Sequence, residues 1–392
     1  MTNLNLGRSS AGSWERSRGS NASALTAATR CHRHAVIDLG TNSVKLLVAD
    51  VGQILKPVLK LSRQTLLGQG AFRTGLLQSV AIARTVNAVV QFTAKAEALR
   101  PASMRLLATG ITREASNSHE LVQAILRSTG LTVEILSGAQ EADYMFQGVT
   151  SQPDIGVGAI LVVDVGGGST EWVFGNGGFT HFRHSMRLGT SRLLELFPPS
   201  DPPTRVDLAR WRHLVTDFLW REVCPGLVPA LAAFRHRPVC LVGLGGSLKS
   251  LALLASKGRA EDEPPALLRK EELRAQVEQL WRLSSLERRN LCRLNPEKAE
   301  IILAGAVIYE AIMSQLGFTE MIRSDQGVRS GVLLSLAAKV VRTDPSAWQP
   351  VPVDSCLEWG CKEPQTQLPT FMQLGQANAS CCQNAIQISC KL

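Results

Sequence analysis

The sequence Ala-Val-Ile-Asp-Leu-Gly-Thr-Asn-Ser at residues 35–43 joins two apolar strand patterns through a short polar turn. The sequence Asp-Val-Gly-Gly-Gly-Ser-Thr-Glu at residues 164–171 repeats this design, with Asp at the strand end and Gly two residues later. Glycine lets a turn bend tightly and approach a ligand, and successive N–H groups in such a turn form a concave anion site. Ordinary hairpins also contain single glycine turns, but two equivalent turns predict two α/β halves with a cleft between them.

Strand and helix patterns alternate around both turns, as expected for an α/β protein. In the first half, helical periodicity at residues 76–98 is followed by an apolar strand pattern at 104–108. In the second half, a strand pattern at 239–242 precedes helical patterns that include residues 297–316. The order of these elements favours two domains of similar design.

The predicted domains cover residues 34–152 and 153–342, with the boundary in a Ser-, Gln-, Pro- and Gly-containing stretch near 150–157. Residues 1–33 are rich in Ser, Ala, Asn and Arg without periodicity, which predicts a disordered N-terminal extension. Residues 343–392 mix Pro, Gln, Asn and Cys, which predicts a poorly ordered, Cys-containing tail. No CxxC pair occurs among the nine cysteines, so no zinc pattern is supported.

The composition fits a globular protein with a substantial core, because 45% of the 392 residues are hydrophobic and 19% are charged. The formal net charge of +9 suits a polyanionic partner, although a merely basic surface would give the same number. No apolar run reaches the roughly 18 residues that a membrane span needs, and no signal-peptide pattern is present. We therefore expect a cytoplasmic protein with no membrane partner and no nucleic-acid polymer as partner.

Further short motifs lie between and after the two turns. Their sequences are Thr109 followed by Arg113-Glu114-Ala115, Ser137-Gly138-x-x-Glu141-Ala142, Arg187-Leu188-Gly189, Gly243-Leu244-Gly245-Gly246-Ser247 and Ser324-Asp325-Gln326-Gly327-Val328-Arg329-Ser330-Gly331. Together with the two turns, and over roughly residues 34–340, they resemble the exopolyphosphatase / guanosine pentaphosphate phosphatase (Ppx/GppA) family in its short, two-domain form. The resemblance implies two actin-like (ribonuclease H-like) α/β domains of the acetate and sugar kinase/Hsp70/actin superfamily, with an interdomain cleft.

The resemblance also implies the site residues. The catalytic residues would be Glu141, which would activate or orient the attacking water, and Arg113, whose planar guanidinium suits phosphate oxygens. Asp164, Glu171 and Asp38 would hold a metal, Mg²⁺ or in its place Mn²⁺. Both glycine turns would bind phosphate, with the terminal phosphate between them, through Gly40, Thr41, Asn42, Ser43, Gly166, Gly167, Gly168, Ser169 and Thr170. Arg329 and Lys249 are further candidates for contacts with the remaining phosphates.

The function that follows from the resemblance is metal-dependent release of the terminal phosphate from inorganic polyphosphate or guanosine pentaphosphate. The sequence does not choose between these substrates, and it leaves open whether the chain forms a homodimer. Two alternatives remain: a phosphotransferase of the same superfamily, and a non-catalytic regulator that binds polyphosphate or a nucleotide. A regulator would be favoured by loss of Glu141, Asp164 or Glu171, but all three are present.

Overall fold

The structure is a computed structural model, and it describes residues 31–341 except 53, 154, 156–157, 256–266 and 293. The predicted tail at 343–392 lies outside the described residues, as does the predicted N-terminal extension up to residue 30. The first strand begins at His32, two residues before the predicted start of the first domain.

The described elements alternate as the sequence predicts. The strands are β1 (His32–Leu39), β2 (Ser43–Val51), β3 (Leu55–Gln64), β4 (Ser103–Ala108), β5 (Val133–Ile135), β6 (Ala159–Val165), β7 (Thr170–Asn176), β8 (Phe179–Met186), β9 (Val239–Leu244), β10 (Leu267–Arg269) and β11 (Glu320–Arg323). The helices are α1 (Ala71–Thr74), α2 (Ser79–Glu97), α3 (Ile111–Glu114), α4 (Ser118–Thr129), α5 (Gly138–Thr150), α6 (Thr190–Leu196), α7 (Arg205–Phe218), α8 (Cys224–Ala232), α9 (Gly246–Ala255), α10 (Lys270–Leu280), α11 (Ser285–Cys292), α12 (Pro296–Leu316) and α13 (Val328–Val341). A π-helical segment at Leu219–Val223 joins α7 to α8.

Two sheets share one strand order. The first sheet runs β3-β2-β1-β4-β5, and the second runs β8-β7-β6-β9-β11 with β10 added at its edge. In both, the first three strands pair antiparallel, and the next strand pairs parallel to the first one. We call β1–β5 with α1–α4 the first lobe, and β6–β11 with α6–α12 the second lobe. The repeated order is what two equivalent glycine turns predict.

Two helices lie between the sheets. Buried Met145 and Val149 of α5 pack on the second sheet, and buried Val332 and Leu333 of α13 pack on the first sheet. The two helices cross so closely that a Cβ at Gly331 would lie within 1.9 Å of the carbonyl oxygen of Tyr144. Helix α13 therefore follows the second sheet in sequence but packs on the first, and it ties the lobes together.

Helix α12 is the central helix of the second lobe. It is 21 residues long, and its most apolar window has a mean hydropathy of 1.4, so by length and composition alone it could cross a membrane. However, 72% of that window is buried inside the protein. Its residues, such as Leu303 and Val307, belong to the same hydrophobic cluster as Trp172 and Trp211. Its apolar character is accounted for by this position in the core.

Candidate active site

The two glycine turns have the same local geometry. The N–H of Gly40 donates to the carbonyl of Ser43 at 3.1 Å, and the N–H of Gly166 donates to that of Ser169 at 3.0 Å. The strands beside them are also in the same register, since Asp38 pairs with residue 45 and Asp164 pairs with residue 171. The two turns differ at that last position, which is Lys45 in the first lobe and Glu171 in the second.

Each lobe fixes its turn from the segment that follows its third strand. In the first lobe, the carbonyl of Thr41 accepts from the N–H of Gly68 at 2.9 Å, and that of Asn42 accepts from Thr65 and Leu66 at 3.0 and 3.1 Å. In the second lobe, helix α6 holds all three glycine carbonyls. Gly166 accepts from Thr190 N at 2.9 Å, Gly167 from Ser191 N and Arg192 N at 2.9 and 3.0 Å, and Gly168 from Arg192 Nε at 2.7 Å.

These carbonyl bonds decide where the amide donors of the second turn point. In a trans peptide, the C=O and the N–H of the same unit point in opposite directions. The N–H groups of Gly167 and Gly168 therefore point away from α6. Within the described part of the chain, neither of them has a protein acceptor. That these amides bind an anion stays a prediction, and their orientation is compatible with it.

The two turns touch each other. The hydroxyl of Ser191 donates to Asn42 Oδ1 at 2.7 Å, and a Cβ at Gly167 would lie 2.8 Å from Asn42 Nδ2. A Cβ at Gly168 would lie 3.0 Å from Thr41 Oγ1. In this arrangement an anion has no room between the two tips, in contrast to the sequence-based expectation. It would lie beside their contact, or the lobes would have to separate.

Glu141 and Arg113, the two predicted catalytic residues, lie in contact. Glu141 lies in the first turn of α5, which begins with a capping box between Ser137 and Gln140. Its side chain is buried, and its Oε2 lies 3.3 Å from Arg113 Nη1. The same guanidinium nitrogen donates to the carbonyl of Leu136 at 2.6 Å. Arg113 is thus oriented by backbone while it faces the candidate general base.

The backbone at residue 110, three residues before Arg113, favours glycine. This glycine has φ of +49° and ψ of −112°, a conformation that side chains rarely adopt. A Cβ there would also lie 3.1 Å from Thr41 Oγ1 of the first turn. Glycine is therefore required by both backbone and space. The nearby Thr109 and Thr112 are buried, and within the described residues Thr112 Oγ1 has no hydrogen-bond partner.

The carboxylates of the site repel one another in a buried setting. Burial and, after it, the charge of Asp164 raise the pKa of Glu171 to about 7, against the opposing effect of the hydroxyls of Ser169 and Ser185. Burial also raises the pKa of Glu141 well above its ordinary value; Glu171 adds to this shift and Arg113 opposes it. Burial likewise raises the pKa of Asp164. The positive groups near these carboxylates do not offset the effects of burial and mutual repulsion. A bound cation would reduce that repulsion.

This electrostatic demand fits a divalent metal held by few protein ligands. Asp164 and Glu171 lie opposite each other on paired strands. Among the described residues, however, no group of three or more His, Cys, Asp or Glu is arranged to hold a metal ion. Asp164 and Glu171 are therefore the candidates for direct ligands, and Asp38 is the candidate for a contact through water. Mg²⁺ usually takes one or two carboxylates, with water and phosphate oxygens completing its shell, so Asp164 and Glu171 would suffice.

Lys45 and Arg329 complete the charge pattern. Both lower the pKa of Asp164 by their positive charge, against the effects of burial and of Asp38. Arg329 lies in the first turn of α13 and donates to the carbonyl of Leu46 at 3.4 Å. Sequence reasoning missed Lys45, although its spacing of seven residues from Asp38 equals that of Glu171 from Asp164. Lys249, the other predicted contact, is exposed in the first turn of α9.

Comparison with known protein families decides the classification. The model of the Ppx/GppA phosphatase family matches residues 46–340, which run from β2 to α13. The chain belongs to the Ppx/GppA phosphatase family. Among curated relatives, Exopolyphosphatase 2 of Mycobacterium tuberculosis is 31% identical over 328 residues, which cover 78% of this chain and 98% of the relative. Exopolyphosphatase 1 of Mycobacterium leprae is 28% identical over 306 residues, with 77% of this chain and 88% of the relative covered.

Solved Ppx/GppA structures share the fold. The Aquifex aeolicus member of the family matches with a TM-score of 0.64 and 28% identity, covering 80% of this chain and 99% of that one. An exopolyphosphatase from Cytophaga hutchinsonii matches with a TM-score of 0.71 and 23% identity, covering 78% and 98%. The predicted fold class, two actin-like α/β domains with a cleft, is thereby confirmed, and so is the resemblance to the Ppx/GppA family.

Proposed function

We propose that this chain is a metal-dependent phosphohydrolase that releases the terminal phosphate of inorganic polyphosphate, with guanosine pentaphosphate as the second candidate substrate. One observation carries the proposal: free amide donors of a glycine turn, the buried carboxylates Glu141 and Glu171 and the half-buried Asp164 belong to one site. Phosphate needs the amides, and attack by water needs a base. The exopolyphosphatase names of the mycobacterial relatives support this substrate class.

The residues divide the work by their chemistry. Glu141 accepts the proton of the attacking water, and its raised pKa brings it closer to the pH at which a general base works best. Arg113 lies beside Glu141 and can donate to oxygens of the reacting phosphate in pairs. The N–H groups of Gly167 and Gly168 donate to the charged oxygens of the transferred phosphoryl group.

Asp164 and Glu171 would hold Mg²⁺, or Mn²⁺ in its place, and Asp38 would act on the ion through water. When bound, the ion neutralises charge on the phosphate oxygens and on the carboxylates. Lys45 and Arg329 provide positive charge on the first-lobe side of Asp164. The rest of a polyanionic substrate would run over these and other basic groups, which is consistent with a net charge of +9.

The test is a paired assay of phosphate release from polyphosphate and from guanosine pentaphosphate, with Mg²⁺ and with EDTA. We expect metal-dependent release of orthophosphate, and the ratio of the two kcat/KM values assigns the substrate. The Glu141→Gln variant is the matched control, since it keeps the shape of the side chain but not the base. A folded wild-type protein that releases phosphate from neither substrate would refute the proposal. Transfer of phosphate to an acceptor with ADP formation would point instead to a kinase.

A further inference from the structure

A set of contacts joins the lobes beside the second glycine turn. We call it the interlobe clasp and define it as Phe72 and Glu114 of the first lobe with Arg192 and Glu195 of the second. Nη2 of Arg192 lies 2.8 Å from both Oε1 and Oε2 of Glu114. The two side chains are only 11% and 18% exposed, so this ion pair is well shielded from solvent.

Arg192 also holds the second turn itself. Its Nε donates to the carbonyl of Gly168 at 2.7 Å, in a bond that is buried. Its guanidinium carbon lies 4.5 Å from the ring centroid of Phe72, and a Cβ at Gly168 would lie 3.3 Å from the same ring. One guanidinium therefore has three partners, of which Phe72 and Glu114 come from the first lobe and Gly168 from the phosphate turn.

Glu195, which lies in α6 like Arg192, makes a second contact with the first lobe. Its Oε2 accepts from the N–H of Gly70 at 2.8 Å, and its Oε1 accepts from the N–H of Arg73 at 3.1 Å. These donors lie at the start of α1, which the side chain of Glu195 caps. Helix α6 thus holds the second turn with its backbone and contacts the first lobe with its side chains.

We propose that Arg192 is a positioning residue that couples the docking of the two lobes to the orientation of the second phosphate turn. The inference rests on the proposed function. The position of Arg192 is fixed by Glu114 and Phe72, so its bond to the Gly168 carbonyl depends on the first lobe being docked. That carbonyl sets the direction of the N–H of Ser169, which belongs to the same peptide unit. Glu114 is also the chain neighbour of Arg113, so one short helix, α3, carries both the catalytic arginine and the anchor of the clasp.

The alternative is that Arg192 only stabilises the fold, and the Arg192→Lys variant separates the two. Lysine keeps the charge but lacks the planar fork, so it cannot bond the Gly168 carbonyl and both Glu114 oxygens together. If Arg192 positions the turn, kcat for polyphosphate should fall about 10–10²-fold, as for a small misplacement of reacting groups. KM should change by about threefold or less, because the turn contributes most in the transition state.

The matched control is Arg212→Lys. Arg212 makes a similar two-point ion pair, with Nε 2.8 Å from Glu310 Oε2 and Nη2 2.7 Å from Glu310 Oε1, but entirely within the second lobe. We expect this variant to lower the melting temperature by about 2–4 °C or more and to leave kcat unchanged. The isosteric Glu114→Gln variant tests the clasp from the other lobe and should lower kcat in the same way as Arg192→Lys.

The double variant Glu114→Gln/Arg192→Lys completes the experiment. If the two residues act through each other, the kcat of the double variant should lie within about twofold of the kcat of the less active single variant. Multiplicative losses, or single variants that melt earlier but turn over at the wild-type rate, would overturn the inference while leaving the proposed function intact. A wild-type protein that releases no phosphate in the same assay would overturn the proposed function and the coupling together.

Discussion

The Gly189→Ala substitution tests whether the second glycine turn binds the reacting phosphate. Gly189 precedes α6 and has φ of −147° and ψ of 167°, an extended conformation that alanine adopts without strain. A Cβ there would lie 2.5 Å from the carbonyl carbon and oxygen of Gly167 and 2.6 Å from the carbonyl carbon of Gly168. These are backbone atoms, so no side chain can rotate away to make room.

The required displacement sets the size of the effect. Ordinary contact begins at 3.4 Å, so the turn and α6 must separate from 2.5 Å by about 0.9 Å. A misplacement of about 1 Å can lower a rate about 10²-fold, which corresponds to about 2.7 kcal/mol in the activation free energy. We therefore expect kcat for phosphate release from polyphosphate to fall about 10–10²-fold, with a smaller change in KM.

The assay is steady-state phosphate release at a temperature where melting curves show that the variant is folded. Gly246→Ala is the control, because it adds the same methyl group at the start of α9, where a Cβ would meet nothing within 4 Å. It should keep the kcat of the wild type. A folded Gly189→Ala protein with wild-type kcat would refute the reasoning, since the turn could then move without affecting the reaction.

Four further predictions concern charged groups of the site. Glu141→Gln should keep substrate binding but lower kcat about 10²–10⁴-fold, which KM and kcat measured together will show. Asp164→Asn and Glu171→Gln should raise the Mg²⁺ concentration for half-maximal activity, and full activity in EDTA would contradict a metal role. Burial raises the pKa of Glu171 to about 7 from 4.5, so between these pH values the metal-free folded state binds protons that the unfolded state has released. Its melting temperature should therefore fall as pH rises towards 7, and a level profile would contradict the shift. Arg113→Ala should raise KM for polyphosphate and weaken the increase of KM with salt, measured between about 0.05 and 0.3 M.

Local patterns were sufficient to predict the turns and most of the strands and helices beside them. The Asp-x-Gly pattern depends on the conformation of only a few neighbouring residues, and Asp38 and Asp164 lie one residue before the ends of their strands. Boundaries that depend on distant residues were less accurate. The helix predicted at 76–98 begins at Ser79, because Asn117 binds both the N–H and the carbonyl of Leu77 at 2.8 and 3.0 Å.

Contacts between lobes could not be predicted from local periodicity. Nothing near residues 328–341 indicates that α13 returns to the first sheet, and nothing near Arg192 indicates that its partners are Glu114 and Phe72. The contact of Glu141 with Arg113 could not be predicted from local pattern either, since 28 residues separate them in the chain. The expectation that phosphate lies between the turn tips did not allow for the direct contact of Asn42 with Ser191 and Gly167.

The two lobes repeat one design, but their hairpins differ in charge, because Lys45 of the first lobe occupies the position that Glu171 occupies in the second. With Asp38, Lys45 gives the hairpin of the first lobe a formal charge of zero, whereas Asp164 and Glu171 give the hairpin of the second lobe two negative charges. We therefore expect a divalent ion to be attracted to the hairpin of the second lobe and not to that of the first. In the first, the lysine ammonium serves as a permanent cation that cannot diffuse away and that no chelator can remove. If the proposed metal role holds, removing the metal should affect the charge balance of the second hairpin and leave that of the first unchanged.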